Sequence, residues 1–171
     1  GDEENDKRVM ERAKVNDPNA LLKMGTRRGR EGDYETAFEY FTKAAELRDP
    51  IAHFQLGLMY RKGEGVEKDE EKAVYHYEKA AIGGDPYARY NLGCGEENNG
   101  NIERAVKHFV IAAKLGLEVS MKVLWKYYSA GNISKEDLDA TLRAHHSAID
   151  ATKSQQRDAA EAEFRQLAAS R

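Results

Sequence analysis

The chain has one cysteine, one tryptophan and three prolines in 171 residues. The lone thiol, Cys94, has no partner for an internal disulfide, which excludes a disulfide scaffold and fits a reducing, intracellular compartment. No stretch approaches the roughly 18 to 20 consecutive apolar residues of a membrane-spanning helix, and no signal-peptide pattern opens the chain. Strand-type runs of Val, Ile and Thr are missing, while long stretches rich in Ala, Glu, Lys and Tyr favour helix. An excess of one charge is missing as well. With 27 Lys and Arg against 30 Asp and Glu, the formal net charge is -3, so no strong field draws the chain to nucleic acid or an anionic membrane. What remains is an all-α protein, with 40% apolar residues to build a core of moderate size.

Constellations that carry chemistry are equally scarce. Among the histidines His53, His76, His108, His145 and His146, none has H-E-x-x-H or Cys/His zinc spacing. His146 and Asp150, one helical turn apart, would need a third ligand to hold a metal. Glu70-Glu71 and Glu96-Glu97 lie at expected helix starts or turns, where acids suit the helix dipole. Gly63-Glu64-Gly65 lacks the preceding strand and the G-K-[ST] of a phosphate loop, and Glu64 would repel a phosphate. Arg27-Arg28-Gly29-Arg30 reads as a solvated basic face, with contact to an anionic peptide as the alternative. No catalytic residue, cofactor or metal is therefore assigned, and the chain is expected not to be an enzyme.

The informative feature is repetition. Asp17-Pro18, Asp49-Pro50 and Asp85-Pro86 recur after 32 and 36 residues. Aspartate accepts from the free amides of a first helical turn, and proline tolerates the next position because its missing N–H has no partner there anyway. Each pair predicts a helix start. From these starts Ala20, Ala52 and Ala88 recur, followed by Met24-Gly25, Leu56-Gly57 and Leu92-Gly93. Glycine costs a helix about 1 kcal/mol relative to alanine, so its threefold recurrence predicts a close helix crossing at that slot. Second helices are expected after Asp33, Asp69 and Asn101 as caps. They carry Ala37, Phe41 and Ala44, then Ala73, Tyr77 and Ala80, then Ala105, Phe109 and Ala112, one face of a helix. A period of this size predicts stacked helix pairs, each burying its apolar face against its neighbours.

The central unit carries Ala52, Leu56, Gly57 and Tyr60, then Gly63, Gly65, Val66 and Asp69, then Ala73, Tyr77, Ala80 and Ala81. On these residues it resembles a Sel-like repeat, a relative of the tetratricopeptide repeat. The flanking units depart from the pattern: Arg28 and Glu96 stand in the Tyr60 slot, and both turns lack the central unit's four extra residues. The resemblance implies a right-handed α/α superhelix whose first helices line a concave, partner-binding groove. The groove residues it implies are Leu22, Thr26 and Arg30; then Phe54, Leu58, Arg61 and Lys62; then Tyr87, Tyr90 and Glu97; then Lys122 and Lys126. Leu22, Phe54 and Tyr90 form a row of large side chains that serve as peptide anchors or else pack between repeats.

The expected organisation is a partial-repeat helix at 1–16, repeats at 17–48, 49–84 and 85–116, a divergent unit at 117–133, and a C-terminal helical cap at 134–171. The first segment matches second-helix register through Val9 and Ala13, or is a frayed acidic helix. In the divergent unit Trp125 replaces the repeated glycine and is expected to anchor the final helices. Ser134 to Asp137 has capping-box form, and Leu138, Leu142, His145 and Ile149 make the next stripe. Thr152-Lys153-Ser154 predicts a break before a last helix bearing Phe164 and Leu167, which either closes the array, stays an exposed tail or mediates self-association. The functional expectation is a non-catalytic scaffold or adaptor, favoured as a monomer, that binds a protein or peptide segment and neither nucleic acid nor membrane. The alternatives are a self-associating structural module, or a hydrolase of the β-lactamase-like kind linked to some Sel-like repeat proteins.

Overall fold

The computed structural model describes residues 2–169. Its helices are α1 (Asp2–Lys14), α2 (Pro18–Arg30), α3 (Tyr34–Glu46), α4 (Pro50–Lys62), α5 (Glu70–Ile82), α6 (Pro86–Asn98), α7 (Ile102–Lys114), α8 (Glu118–Ser129) and α9 (Lys135–Ala169). No strand occurs among the described residues, and no helix there is long and apolar enough to cross a membrane. The chain forms two compact units, Gly1–Leu92 and Gly93–Arg171, divided within α6 and inside the third repeat.

The Asp-Pro pairs start α2, α4 and α6 through the same bond. Oδ1 of Asp17, Asp49 and Asp85 accepts from the amides of Ala20, Ala52 and Ala88 at 2.9, 2.9 and 2.7 Å. Each such cap contributes about 1 kcal/mol. Asp33 and Asp69 cap α3 and α5 likewise, through Thr36 and Lys72. Asn101 does not cap α7 with its side chain; its Nδ2 donates instead to Glu96 Oε2 at 2.8 Å.

The second helices share one ending. Asn16, Arg48, Gly84 and Gly116 all take positive φ just after α1, α3, α5 and α7. The next amide reaches back to the helix each time, as in Asp17 N to Arg12 O and Asp49 N to Ala44 O. This is a Schellman-type closure. α1 thus ends as the second helices do, with Ala13 buried as Ala45 and Ala81 are.

In the first unit one cluster joins Ala13, Leu21, Met24, Phe41, Leu56 and Met59, among others. A second joins Ala73, Tyr77, Ala80, Ala81 and Ala88, with Phe54, Leu58, Tyr60 and Leu92 packed on it. Burying a ring such as Phe41 contributes about 1.5–3 kcal/mol. The recurring glycines mark the crossings. A Cβ on Gly25 would lie 2.7 Å from the Phe41 ring, and one on Gly57 would lie 2.6 Å from Tyr77. The extra residues of the central turn fold back onto the preceding repeat. Gly65, at φ +70°, sits where a Cβ would overlap the Tyr34 carbonyl, and Val66 packs on the first cluster.

The second unit repeats the crossing with Gly93, where a Cβ would lie 2.7 Å from Phe109. Phe109, Met121, Leu124, Tyr127 and Leu138 are buried here, with Ser120, Thr141 and His145 among them. Trp125 does not anchor the final helices. It is 49% exposed and meets the Tyr128 ring edge-on, at 6.1 Å between centroids. In the earlier repeats the glycine slot faces a closely crossing second helix, whereas α9 packs more on α7 than on α8. Half of the indole accordingly stays open to solvent.

The Ser134 hydroxyl accepts from the Asp137 amide at 3.1 Å and donates to the Asp137 carboxylate at 2.8 Å, starting α9. The expected break at Thr152 is absent, because α9 is continuous to Ala169. The Thr152 hydroxyl donates to Ala148 O one turn back, and Arg157 donates to Ser154 Oγ, so neither hydroxyl caps a new helix. The side chains from Asp150 to Ala160 are exposed. Those of Phe164 and Leu167 lie outside the described residues.

Candidate peptide-binding face

Nine of the expected groove residues belong to the first unit: Leu22, Thr26 and Arg30 on α2, Phe54, Leu58, Arg61 and Lys62 on α4, and Tyr87 and Tyr90 on α6. Glu97, Lys122 and Lys126 belong to the second. Within the first unit the Leu22, Phe54, Tyr90 row is half-buried, and Leu22 and Phe54 pack on the two core clusters. Phe54 lies 6.0 Å from both the Tyr77 and Tyr87 rings. The accessible apolar surface is carried by their neighbours. Ile51, one turn before Phe54, is 51% exposed, and Tyr87 is 54% exposed. Leu58, one turn after Phe54, is half-buried on the same face.

Charge on this face is held to different degrees. Arg61 donates from Nη1 to Asn91 Oδ1 at 3.0 Å and lies 6.0 Å over the Tyr77 ring, while Asn91 Nδ2 donates to Tyr87 O. Arg61 is thus a tie between α4 and α6. Lys62 is exposed, 3.5 Å from Glu64. On α2, an open cleft of about 590 Å³ is lined by Leu22, Lys23, Thr26, Arg27, Arg30 and Glu31. A smaller cleft of about 220 Å³ beside it shares Thr26 and Arg30 and reaches Tyr34, Gln55 and Glu64.

In the second unit Lys126 pairs with Glu97 at 3.3 Å and stands 5.6 Å over the Tyr127 ring, and Lys122 is exposed. The Tyr127 hydroxyl, then the Lys126 ammonium, hold the Glu97 carboxyl below its usual range. Burial, then Glu97, pushes the Tyr127 phenol up to about 12. An apolar cleft of about 530 Å³ lies between α7 and α9, with Val106, Val110, Ile111, Ile133 and Ala140 in its lining.

Two histidine contacts escaped sequence reasoning. His53 Nδ1 and His76 Nδ1 share a hydrogen bond at 3.0 Å, and Tyr60 stacks on His76 with centroids 5.5 Å apart. Burial, then the nearby His53, depresses His76 to about 4; burial and then Lys79 lower His53. The signal available was the slot His76 shares with Tyr40, which predicts a ring ladder but not a partner 23 residues away. The second is His145, 2% exposed, with Nδ1 2.8 Å from Ala113 O and Nε2 3.1 Å from Glu118 Oε2. No group of three or more His, Cys, Asp or Glu placed to hold a metal occurs among the described residues.

These features define a helix-pair repeat protein with an exposed mixed apolar and basic face. Residues 18–49, 50–85 and 86–117, more than half of the chain, match the family model for the Sel1 repeat. The chain belongs to the Sel1 repeat family, whose members are typically non-catalytic modules of protein–protein interaction.

Its structure is similar to the crystal structure of a Sel1 repeat protein from Oxalobacter formigenes. That match has a TM-score of 0.71 and 34% identity over 86% of this chain and 64% of the other. It is also similar to a protective antigen of uropathogenic Escherichia coli strains displaying an SLR fold, with TM-score 0.69 and 30% identity over 85% and 33% of the respective chains. The fold is accordingly an all-α solenoid of helix–turn–helix repeats. In sequence the chain is 38% identical over 50 residues to a Helicobacter pylori protein named putative beta-lactamase HcpC. That stretch is 29% of this chain and 17% of the relative, so the chain spans only a fraction of that protein.

Proposed function

We propose that this protein is a non-catalytic scaffold that binds a peptide segment of a partner protein on the first-helix face of its first unit. The observation that carries the reading is the exposure of Ile51 and Tyr87 above half-buried Phe54 and Leu58. Large side chains held in place from below, with basic groups at the edge, are the usual composition of a binding hot spot. Family membership supports the interaction role. Arg30 and Lys62 lie at the edges of this face, whereas Phe54 and Arg61 chiefly fix its shape.

The test uses the exposed residues, whose loss spares the core. Ile51→Ser and Tyr87→Ala should keep the helical circular dichroism spectrum and the melting temperature, and should lose most of the partner captured from lysate by the unaltered protein. Undiminished capture by both folded variants would refute the assignment of this face.

Self-association is a second reading, supported by the exposure of Val119, Trp125 and Tyr128 on α8. Sedimentation at two concentrations tests it, and a monomer at both removes it. A β-lactamase reading draws only on the name of a relative matched over 50 residues. Turnover of a chromogenic cephalosporin by the purified chain would establish it.

A further inference from the structure

Charge in the first unit is sorted by helix layer. The first helices α2 and α4 carry Lys23, Arg27, Arg28, Arg30, Arg61 and Lys62 and no acidic residue. The second helices α3 and α5 carry six glutamates, from Glu35 to Glu78, and only Lys43, Lys72 and Lys79 as basic residues. The near-neutral sum of the whole chain hides this separation. Several of the basic groups are already engaged: Arg27 and Arg28 pair with Glu31, Arg61 is tied to Asn91, and Lys62 makes a longer, exposed pair with Glu64 at 3.5 Å. Lys23 and Arg30 make no ion pair among the described residues, and both line the 590 Å³ cleft beside Leu22 and Thr26.

Resting on the peptide-binding reading above, we infer that the segment this face takes is acidic, with Asp or Glu interleaved among apolar residues. Lys23 and Arg30 meet its carboxylates over the α2 cleft, and Lys62 supplies a third cation on α4. Ile51 and Tyr87 take its apolar side chains. Each carboxylate brought to this layer meets a field set by its six cations, offset in part by Glu31 and Glu64 in the adjoining turns, while the six glutamates of α3 and α5 sit on the other helices. Complementarity of this kind raises the association rate and suppresses wrong partners more than it adds raw affinity. A nucleic acid would use the same cations but would not require the aliphatic and aromatic positions. The interleaving of apolar and basic groups on one face therefore favours a peptide.

Selection of a phage-displayed library of random 12-residue peptides on the intact immobilised protein tests the inference. The expected result is a selected set enriched in Asp and Glu over the starting library, each peptide carrying an aromatic or aliphatic residue. The double charge reversal Lys23→Glu with Arg30→Glu, at exposed positions that leave the fold intact, should weaken capture by about tenfold or more. Tyr87→Ala should weaken it as well. A selected set without acidic enrichment, yet still dependent on Tyr87, overturns the charge inference and leaves the face assignment standing. Peptides indifferent to both sets of substitutions overturn both. Failure to enrich any peptide overturns the charge inference, and the lysate capture above then decides the face by itself. Displacement of the acidic peptides by an equal concentration of a 20-residue oligothymidylate would replace the inference with a general polyanion surface.

Discussion

Arg61 and Asn91, 30 residues apart, are joined by a hydrogen bond of 3.0 Å between Nη1 and the amide oxygen. Because Asn91 also donates to the Tyr87 carbonyl, the amide is oriented and the guanidinium has one place to go. The bond links the first helices of successive repeats, whose relative placement shapes the exposed apolar face. A double-mutant cycle with Arg61→Ala and Asn91→Ala should return a coupling of about 0.5–1.5 kcal/mol in urea unfolding. A coupling indistinguishable from zero would mean that water serves Arg61 equally well.

Two glycines on neighbouring first helices should respond in opposite directions to one added methyl group. At Gly57 the new Cβ would lie 2.6 Å from the buried Tyr77 ring, so Gly57→Ala is expected to destabilise by about 1–3 kcal/mol. At Gly95 nothing lies within 4 Å, and Gly95→Ala should instead stabilise by about 0.5–1 kcal/mol through helix propensity. Chemical denaturation of both variants checks the pair. Equal shifts would refute the close-crossing account.

Acid should weaken the fold through the His53–His76 contact. Burial, then His53, depresses His76 to about 4 in the folded chain, against 6.5 for the free side chain, and His53 is lowered too. Between those values the unfolded chain binds protons that the folded chain does not. The stabilisation is therefore complete above about pH 6.5 and is lost as the pH falls toward 4. The groups around the pair are Tyr60, Tyr75, Lys79, Asp49 and the Ala45 backbone, of which Asp49 and then the Ala45 hydrogen bond favour a protonated His53 ring. Replacing His76 with Gln should flatten the fall in melting temperature between pH 6.5 and 4.5. An unchanged slope would locate the acid sensitivity elsewhere.

His145 is expected to matter more to stability than its exposed partner. His145→Leu removes contacts to Ala113 O and Glu118 from a site only 2% exposed, and should cost about 1–3 kcal/mol. Glu118, whose side chain is 66% exposed, should cost under about 1 kcal/mol when changed to Ala. The melting temperatures of the two variants give the comparison, and a larger loss from Glu118→Ala would reverse the assignment.

What the sequence disclosed follows from how local each interaction is. The Asp-Pro starts were legible because the cap bond spans three residues, as from Asp49 to Ala52. The repeated glycines were legible because three copies put the same demand on one slot. The Arg61–Asn91 and His53–His76 contacts were not, since each depends on how helices far apart in sequence cross. Trp125 misled because its slot has meaning only when a second helix faces it, and α9 packs mainly on α7. Thr152 misled in another way: a hydroxyl that can cap a helix can equally bond back to the carbonyl four residues earlier. At the candidate face, residue types and helix positions were readable, but not that Phe54 would be half-buried while Ile51 and Tyr87 stay open.

The contact of Gly65 with the Tyr34 carbonyl bears on whether these repeats are interchangeable modules. A unit with the longer turn leans on the backbone that opens the second helix before it, so its folding presupposes an upstream neighbour of matching geometry. Transplanted to the front of an array, it would leave Val66 and Gly65 with nothing to rest on. The order of the units is thus part of the molecule's grammar, and shuffling them would alter which sequences are well formed.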